Sequence, residues 1–236
     1  MRGFSDDLKR YVWERPKLFF SLYGVRPAYR ELLVDRQTGI VIEGFPRSGN
    51  TFAVYAFERA QRERGGEEVR PAHHLHAPAQ VIRAASWRIP CVVLIREPAE
   101  AALSLVIREP RISLSKAFLH YISFYEVAEG YRDSFVLASF EQVTGDYGAV
   151  IERVNERYGT GFLPFRHNEA NVEKVFATIE EAHRHKREKA SEERISRPSR
   201  AKEERKAELR EALGSPEVKP LAERAGKIYR RLISSN

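Results

Sequence analysis

Short apolar runs alternate along the chain with longer segments in which apolar residues recur at helical spacing. The runs 39–44, 90–95 and 135–140 each predict a short buried β-strand, and 90–95 is too apolar to face water on either side. Helical spacing predicts helices over 50–64, 79–87, 99–107, 114–128 and 150–158. Strands that alternate with helices predict an α/β protein, a three-layer α/β/α domain with a mainly parallel central sheet. We expect residues 1–236 to form this single domain.

The composition excludes several classes of protein. Hydrophobic residues make up 42% and charged residues 31% of the chain, which is typical of a soluble globular protein. The single cysteine, Cys91, excludes a disulfide scaffold and a Cys-rich metal site, and it predicts a reducing, cytoplasmic compartment. No apolar run reaches the ~20 residues of a membrane span. The charged start of the chain is unlike a secretion signal.

Positive charge is concentrated towards the C-terminus. The net charge is +7, and eleven Lys or Arg against six Glu lie between Arg184 and Arg210. This excess predicts an anionic partner, such as a phosphorylated small molecule, a nucleic acid or an acidic membrane surface. The interleaved glutamates would repel a phosphate backbone, so we expect no nucleic-acid partner. A solvated helix face is the alternative explanation.

The N-terminal segment, residues 1–38, is rich in aromatic residues. Seven aromatic residues lie among eight Lys or Arg and five Asp or Glu in the first 36 positions. We expect these rings to dock the segment onto the core. An amphipathic helix that contacts the inner face of a membrane is the alternative, and it would make the protein peripheral to that membrane.

A loop suited to phosphate follows the first predicted strand and precedes a helix. Its sequence, GFPRSGNT over 44–51, contains small residues that allow backbone N–H groups to converge on an anion at a helix N-terminus. A nucleotide triphosphatase would have a lysine directly after the second glycine of the motif, and this chain has Asn50 there. The cation is Arg47 instead. A tight turn without a ligand is the weaker alternative.

The second strand ends at a further arginine, Arg96. A protein that hydrolyses nucleotides on this scaffold would have a magnesium-holding acidic residue there. Ligands of open α/β sheets gather at the carboxyl ends of the strands. With Arg47 and Arg96 at two strand ends, the sequence predicts an anion site that needs no metal.

Two motifs together resemble those of the PAPS-dependent sulfotransferases, a family of which this chain would be a bacterial type. The run Pro46–Phe52 is similar to the 5′-phosphosulfate loop of that family. Arg96, followed eight positions later by Ser104, is similar to its 3′-phosphate motif, and Phe140-Glu141 resembles a later step of the same fold. The resemblance extends over about 39–158 and implies a P-loop-NTPase-like sulfotransferase fold. The chain has arginine at position 47 where lysine is commoner, and asparagine at position 50 where a hydroxyl residue is usual.

The resemblance implies 3′-phosphoadenosine 5′-phosphosulfate (PAPS) as the donor, no metal, and in-line transfer of a sulfuryl group to an acceptor small molecule or glycan. The implied donor-binding residues are Arg47, Ser48, Gly49, Asn50, Thr51, Phe52, Arg96, Ser104, Arg197, Ser199 and Arg200. Backbone amides of 48–51 would hold the 5′-phosphosulfate, and Arg47 would stabilise the leaving oxygen. Arg96 and Ser104 would hold the 3′-phosphate, and Phe52 would stack on adenine. The basic helical segment 183–236 would close over the nucleotide.

A general base is expected among the clustered histidines. Three of the seven histidines lie in the run 73–76, where the resemblance places the catalytic histidine. Neutral imidazole is suited to accept the proton of an attacking hydroxyl. We favour His74 as the base, with His76 as the alternative. A metal pair or a purely structural role are weaker explanations, and the other histidines, including His120, are expected at the surface.

The prediction is therefore a PAPS-dependent sulfotransferase. A nucleotide-dependent kinase or phosphotransferase on the same scaffold is the alternative, and the missing lysine argues against it. Carbohydrate, glycolipid, peptide and phenol acceptors are all compatible with the sequence, as are a hydroxyl or an amine as the attacking group. The basic, aromatic N-terminal segment slightly favours a lipid-linked or anionic acceptor.

Overall fold

Short strands alternate with helices in the computed structural model, which describes residues 6–63, 69–185 and 200–234. The first elements are α1 Asp6–Trp13, α2 Pro16–Gly24, β1 Ile40–Gly44, α3 Asn50–Arg62, β2 Pro71–His73, α4 Pro78–Trp87, β3 Cys91–Ile95 and α5 Pro98–Arg108. They are followed by α6 Leu114–Glu129, β4 Val136–Ser139, α7 Phe140–Gly145, α8 Tyr147–Tyr158, α9 Glu169–His185, α10 Arg200–Arg210 and α11 Lys219–Ser234. Short 3₁₀ helices cover Pro27–Leu32, Arg132–Ser134 and Glu211–Gly214.

The central sheet has four parallel strands in the order β2-β1-β3-β4. The three predicted strands form β1, β3 and β4. β2 is a further strand that the apolar runs do not predict, and it lies at one edge of the sheet. Pro71 has no N–H to donate, and an edge strand tolerates it. The predicted α/β class with a parallel central sheet is confirmed.

Helices cover both faces of this sheet because alternate strand residues point to opposite sides. Val41 and Val93 pack in a core cluster with residues of α4, α5, α6 and α11. Ile42 and Leu94 pack on the other face with residues of α3, α8 and α9. Burial of each such side chain contributes roughly 1.5–3 kcal/mol. The result is three layers, and the carboxyl ends of β1 and β3 lie side by side.

The N-terminal helices pack against the rest of the chain through aromatic side chains. Phe19 and Tyr23 of α2 are buried in a small cluster with Leu33 and Ala77. Four large apolar side chains of this region are exposed, namely Leu8, Tyr11, Leu18 and Val25. Contact of this segment with a membrane surface stays a prediction. None of the helices in the described ranges has the length and apolar character needed to cross a membrane.

The C-terminal helices are joined to the central layers by ion pairs. On α11, Arg224 and Arg231 bind Glu126 and Glu129 of α6. On α10, Lys206 binds Glu100 of α5 at 2.8 Å. The part of the basic segment that carries Arg197 and Ser199 lies outside the described residues, so closure of this segment over a nucleotide stays a prediction.

Candidate active site

The loop between β1 and α3 requires two glycines. At Gly44 a Cβ atom would lie 2.3 Å from the carbonyl oxygen of Leu94, so only glycine allows β1 and β3 to approach this closely. Gly49 caps α3 with a φ of 93°, a left-handed conformation that glycine adopts without strain. Arg47 also has a positive φ, of 73°. The loop therefore has the tight, unusual backbone that its sequence predicts.

Two polar side chains of this loop point into the protein and fix its shape. Nδ2 of Asn50 donates to the carbonyl of Phe45 at 2.9 Å. Oγ of Ser48 is fully buried and lies 3.4 Å from the hydroxyl of Tyr125. The groups of this loop best suited to an anion are therefore the amides of the first turn of α3, which have no acceptor within the helix.

The two predicted anion loops meet at one point. Nε of Arg47 donates to Oγ of Ser104 at 3.0 Å, although 57 positions separate the two residues. A guanidinium nitrogen of Arg96 donates to the carbonyl of Arg47 at 3.2 Å. The guanidinium of Arg96 lies 3.9 Å from the centre of the Phe140 ring, which orients it. One continuous site thus contains both arginines and Ser104.

The charge at this point is predominantly positive. Desolvation of the half-buried Arg47 guanidinium, together with the positive charges of Arg108 and Arg96, lowers the pKa of Arg47 to about 10. Arg47 therefore stays cationic at neutral pH. Glu100 lies 3.8 Å from Arg96, but its carboxylate also binds Lys206 and Arg210. Such a cluster of guanidinium groups is suited to a ligand with several negative charges.

His74 lies against the start of α3. Its Nε2 is 3.1 Å from Oγ1 of Thr51, and its Nδ1 is 2.6 Å from Nδ1 of His73. One of those two Nδ1 atoms must carry the proton that the other accepts. In the tautomer with the proton on Nδ1 of His74, Nε2 has a lone pair directed at the phosphate-type loop.

His76 is held inside the protein. Its Nδ1 donates to the carbonyl of Gly44 at 2.7 Å, and burial lowers its pKa to about 4. Nε2 of His120 lies 3.3 Å from the carbonyl of His76, and burial likewise lowers the pKa of His120 to about 4. The ring of His120 packs between Trp13 and Phe45, so His120 is partly buried, in contrast to the fully exposed position that was expected for it. Of the two candidate bases, His74 is the one whose imidazole lies at the Thr51 hydroxyl, at the start of α3.

The remaining predicted site residues have other surroundings. The ring of Phe52 is buried and packs against Phe165, His167 and Phe176. This packing favours a core role over stacking on adenine, which stays a prediction. Arg200 begins α10. Among the described residues, no group of three or more His, Cys, Asp and Glu side chains is arranged to hold a metal ion.

Comparison with known proteins gives little beyond this geometry. No protein-family model matches the sequence, and no curated protein matches it at a significant level. Among solved structures, the chain is similar to the crystal structure of mouse sulfotransferase SULT7A1 complexed with PAP, with a TM-score of 0.44 and 12% identity. The alignment covers 86% of this chain and 95% of that chain.

Two tyrosines of α6 support the site, and sequence reasoning missed both. The hydroxyl of Tyr125 accepts from the amide of Phe45 at 3.2 Å and donates to the carbonyl of Leu94 at 2.6 Å. The hydroxyl of Tyr121 donates to the carbonyl of Arg96 at 2.8 Å. Their spacing of four residues, one helical turn, is the only signal that the sequence offers. Together they tie both anion loops to one helix.

We expect Tyr125→Phe to lower the free energy of unfolding by about 1–3 kcal/mol, because the buried amide and carbonyl that it binds lose their partner. It should also weaken binding of an anionic ligand at the loop. Tyr147→Phe is the matched control, since the Tyr147 hydroxyl is buried and has no hydrogen-bond partner among the described residues. Urea denaturation of the two variants measures the difference. Equal stability of the two variants would contradict the supporting role of Tyr125.

Proposed function

We propose that this protein is a sulfotransferase that uses PAPS as its donor. The observation that carries the proposal is the contact between Arg47 and Ser104, which joins the two predicted anion loops into one site. A donor with negative groups at both its 5′ and 3′ ends needs two such loops at a fixed separation. The contact of His74 with Thr51 adds a base beside the same loop.

The residues present are suited to this donor. The first-turn amides of α3 and the Thr51 hydroxyl would bind the 5′-phosphosulfate. Arg96 and Ser104 would bind the 3′-phosphate through charge-assisted hydrogen bonds. Desolvation and the neighbouring positive charges disfavour the charged form of Arg47. The bound anion would balance this charge.

The transfer step can be written with every proton and electron pair accounted for. The acceptor oxygen or nitrogen attacks sulfur while the bond from sulfur to the bridging oxygen breaks. The electron pair of that bond stays on the phosphate oxygen of the departing 3′-phosphoadenosine 5′-phosphate (PAP), where Arg47 stabilises the developing charge. The proton of the acceptor goes to Nε2 of His74. The acceptor is a hydroxyl or amine of a small molecule or glycan.

A kinase is the alternative, and magnesium separates the two functions. Asn50 occupies the position where a kinase of this type has a lysine, and Arg96 follows β3 where an acidic residue would hold magnesium. Titration calorimetry with ATP in the presence and absence of magnesium tests this alternative. Tight, magnesium-dependent binding of ATP together with no binding of PAP would contradict the proposed function.

Arg96 should distinguish PAP from AMP, because these nucleotides differ only in the 3′-phosphate. We expect Arg96→Ala to weaken PAP binding more than tenfold, since a hydrogen bond to a charged group contributes about 1.5–3 kcal/mol. Binding of AMP should change little. Calorimetric dissociation constants for the two nucleotides, with wild type and variant, give the comparison.

Arg132→Ala is the matched control for this measurement. Arg132 also lies over an aromatic ring, that of Phe135, but it precedes β4 and is therefore at the amino ends of the parallel strands, opposite the candidate site. It should leave PAP binding unchanged. If wild-type protein binds PAP and AMP with equal affinity, Arg96 does not recognise a 3′-phosphate and the assignment of this loop is wrong.

A further inference from the structure

A buried carboxylate lies directly under the histidine turn. Glu43 belongs to β1, a central strand, and its side chain is 0% exposed. Burial raises the pKa of Glu43 to about 7, even though several hydrogen bonds act to lower it. A carboxylate in this place lowers the stability of the fold, because the hydrogen bonds offset only part of the free energy needed to remove its charge from water.

The hydrogen bonds of Glu43 are directed at the backbone of the turn. Its two carboxylate oxygens accept from the amides of Leu75 at 2.9 Å and His76 at 3.0 Å. Two successive amides that converge on one anionic group form the kind of concavity that binds anions in many proteins. Here the anion is supplied by the chain itself.

The turn needs such a restraint because its backbone is strained. His74 has a φ of 60° and His76 a φ of 51°, and neither residue is a glycine. Left-handed residues of this kind cost about 1–2 kcal/mol each. They persist where surrounding contacts fix them. The Glu43 carboxylate provides two such contacts, and the bond from His76 to the carbonyl of Gly44 provides a third.

We propose that Glu43 is a positioning residue for His74. Its carboxylate holds the turn 74–76 in the conformation that brings Nε2 of His74 to 3.1 Å from Oγ1 of Thr51. Glu43 itself does not contact the reacting groups. The inference rests on the proposed function, in which His74 accepts the acceptor's proton.

A residue of α4, Gln80, restrains the side chain of Glu43. The side chain of Gln80 is hydrogen-bonded to Glu43. The same amide group of Gln80 accepts from the amide of Val34 at 3.0 Å and donates to the carbonyl of Leu32 at 2.7 Å. The carboxylate is therefore fixed in one orientation, which a positioning residue requires.

A double-mutant cycle separates positioning from general support of the fold. Glu43→Gln keeps the size of the side chain but replaces one acceptor oxygen by a donor, which faces an amide. We expect turnover to fall about 10- to 100-fold, because misplacement of a catalytic group by about 1 Å costs on the order of 10²-fold. In a His74→Ala background the same substitution should change turnover by less than about threefold, since the group that it positions is absent.

Gln61→Leu is the matched control for loss of buried hydrogen bonds. Gln61 is buried on α3 and binds the backbone of Leu163 through both ends of its amide, away from the histidine turn. It should lower stability without changing turnover. Binding of PAP, followed by thermal shift, should be retained in all variants. Glu43→Asp, which keeps the charge but withdraws the oxygens, replaces Glu43→Gln if the latter does not fold.

An NMR measurement of the histidine rings tests whether Glu43 positions His74, and it does not depend on the reaction. The imidazole signals of His74, assigned by their loss in His74→Ala, should move in Glu43→Gln and stay in place in Gln61→Leu. Equal losses of turnover in both backgrounds, or unmoved His74 signals, would overturn the positioning role. Absence of sulfuryl transfer in wild type would instead overturn the proposed function, and the His74 signals would still decide whether Glu43 holds the turn.

Discussion

His74→Ala is expected to lower the turnover of sulfuryl transfer by about 10²- to 10⁴-fold, the usual contribution of a positioned general base. Binding of PAP should stay nearly unchanged, because the imidazole would serve the acceptor and not the nucleotide. The wild-type rate should rise with pH as imidazole loses its proton, since only the neutral ring can accept one. Initial rates at saturating PAPS, measured against pH for wild type and variant, test both statements.

His76→Ala is the control for this prediction. His76 is two positions away and shares the left-handed backbone, but its imidazole binds the carbonyl of Gly44 and does not contact Thr51. Its loss should lower turnover less than the loss of His74. An active His74→Ala beside an inactive His76→Ala would transfer the role of base to His76. Full activity of the double variant would remove the turn from catalysis.

Arg47→Ala is expected to lower turnover by about 10²- to 10³-fold, because a donor aimed at developing negative charge contributes this much in comparable sites. The bridging oxygen gains negative charge as its bond to sulfur breaks, so it is more negative in the transition state than in bound PAPS. The loss in turnover should therefore exceed the loss in affinity for PAPS. Steady-state kinetics with PAPS give kcat and KM on the same preparation.

Arg47→Lys tests which property of the side chain matters. Lysine keeps the positive charge but loses the planar fork by which Nε reaches Ser104. If charge on the leaving oxygen is the main requirement, the lysine variant should retain most of the turnover that alanine loses. Equal losses of turnover and of affinity for PAPS in Arg47→Ala would reduce Arg47 to a binding residue.

The fold and the positions of the two candidate anion loops at the ends of β1 and β3 could be predicted because their signals are local. The apolar runs that become β1 and β3 are contiguous in sequence, and each is followed directly by the loop that its strand presents. Glycine at position 49 and the helix that follows are enough to predict a phosphate-type loop. The family resemblance predicts a catalytic histidine at His74, ahead of β3, and the fold adds the contact of its ring with Thr51.

The supporting residues could not be predicted, because their partners are distant in sequence. The hydroxyl of Tyr125 binds the amide of Phe45, which is 80 positions away in the sequence, and no polar pattern of α6 predicts this contact. Glu43 looks like an ordinary charged residue at the end of an apolar run until the turn 74–76 folds onto it. His120 likewise becomes partly buried because Trp13 of α1 and Phe45, both distant in sequence, pack against its ring. The spacing of apolar residues within one helix or strand does not predict contacts between different elements.

Three of the four described non-glycine residues with a left-handed backbone, Arg47, His74 and His76, lie in the candidate site. At each of them glycine would remove the strain of the left-handed backbone but would also remove the side chain that the site uses. Local stability and function therefore favour different residues at these positions. A library of this protein selected for folding alone would drift towards glycine at these positions and lose the site while keeping the sheet. Under the proposed function, the chemistry of the site requires these three side chains, although the backbone at each position is better suited to glycine.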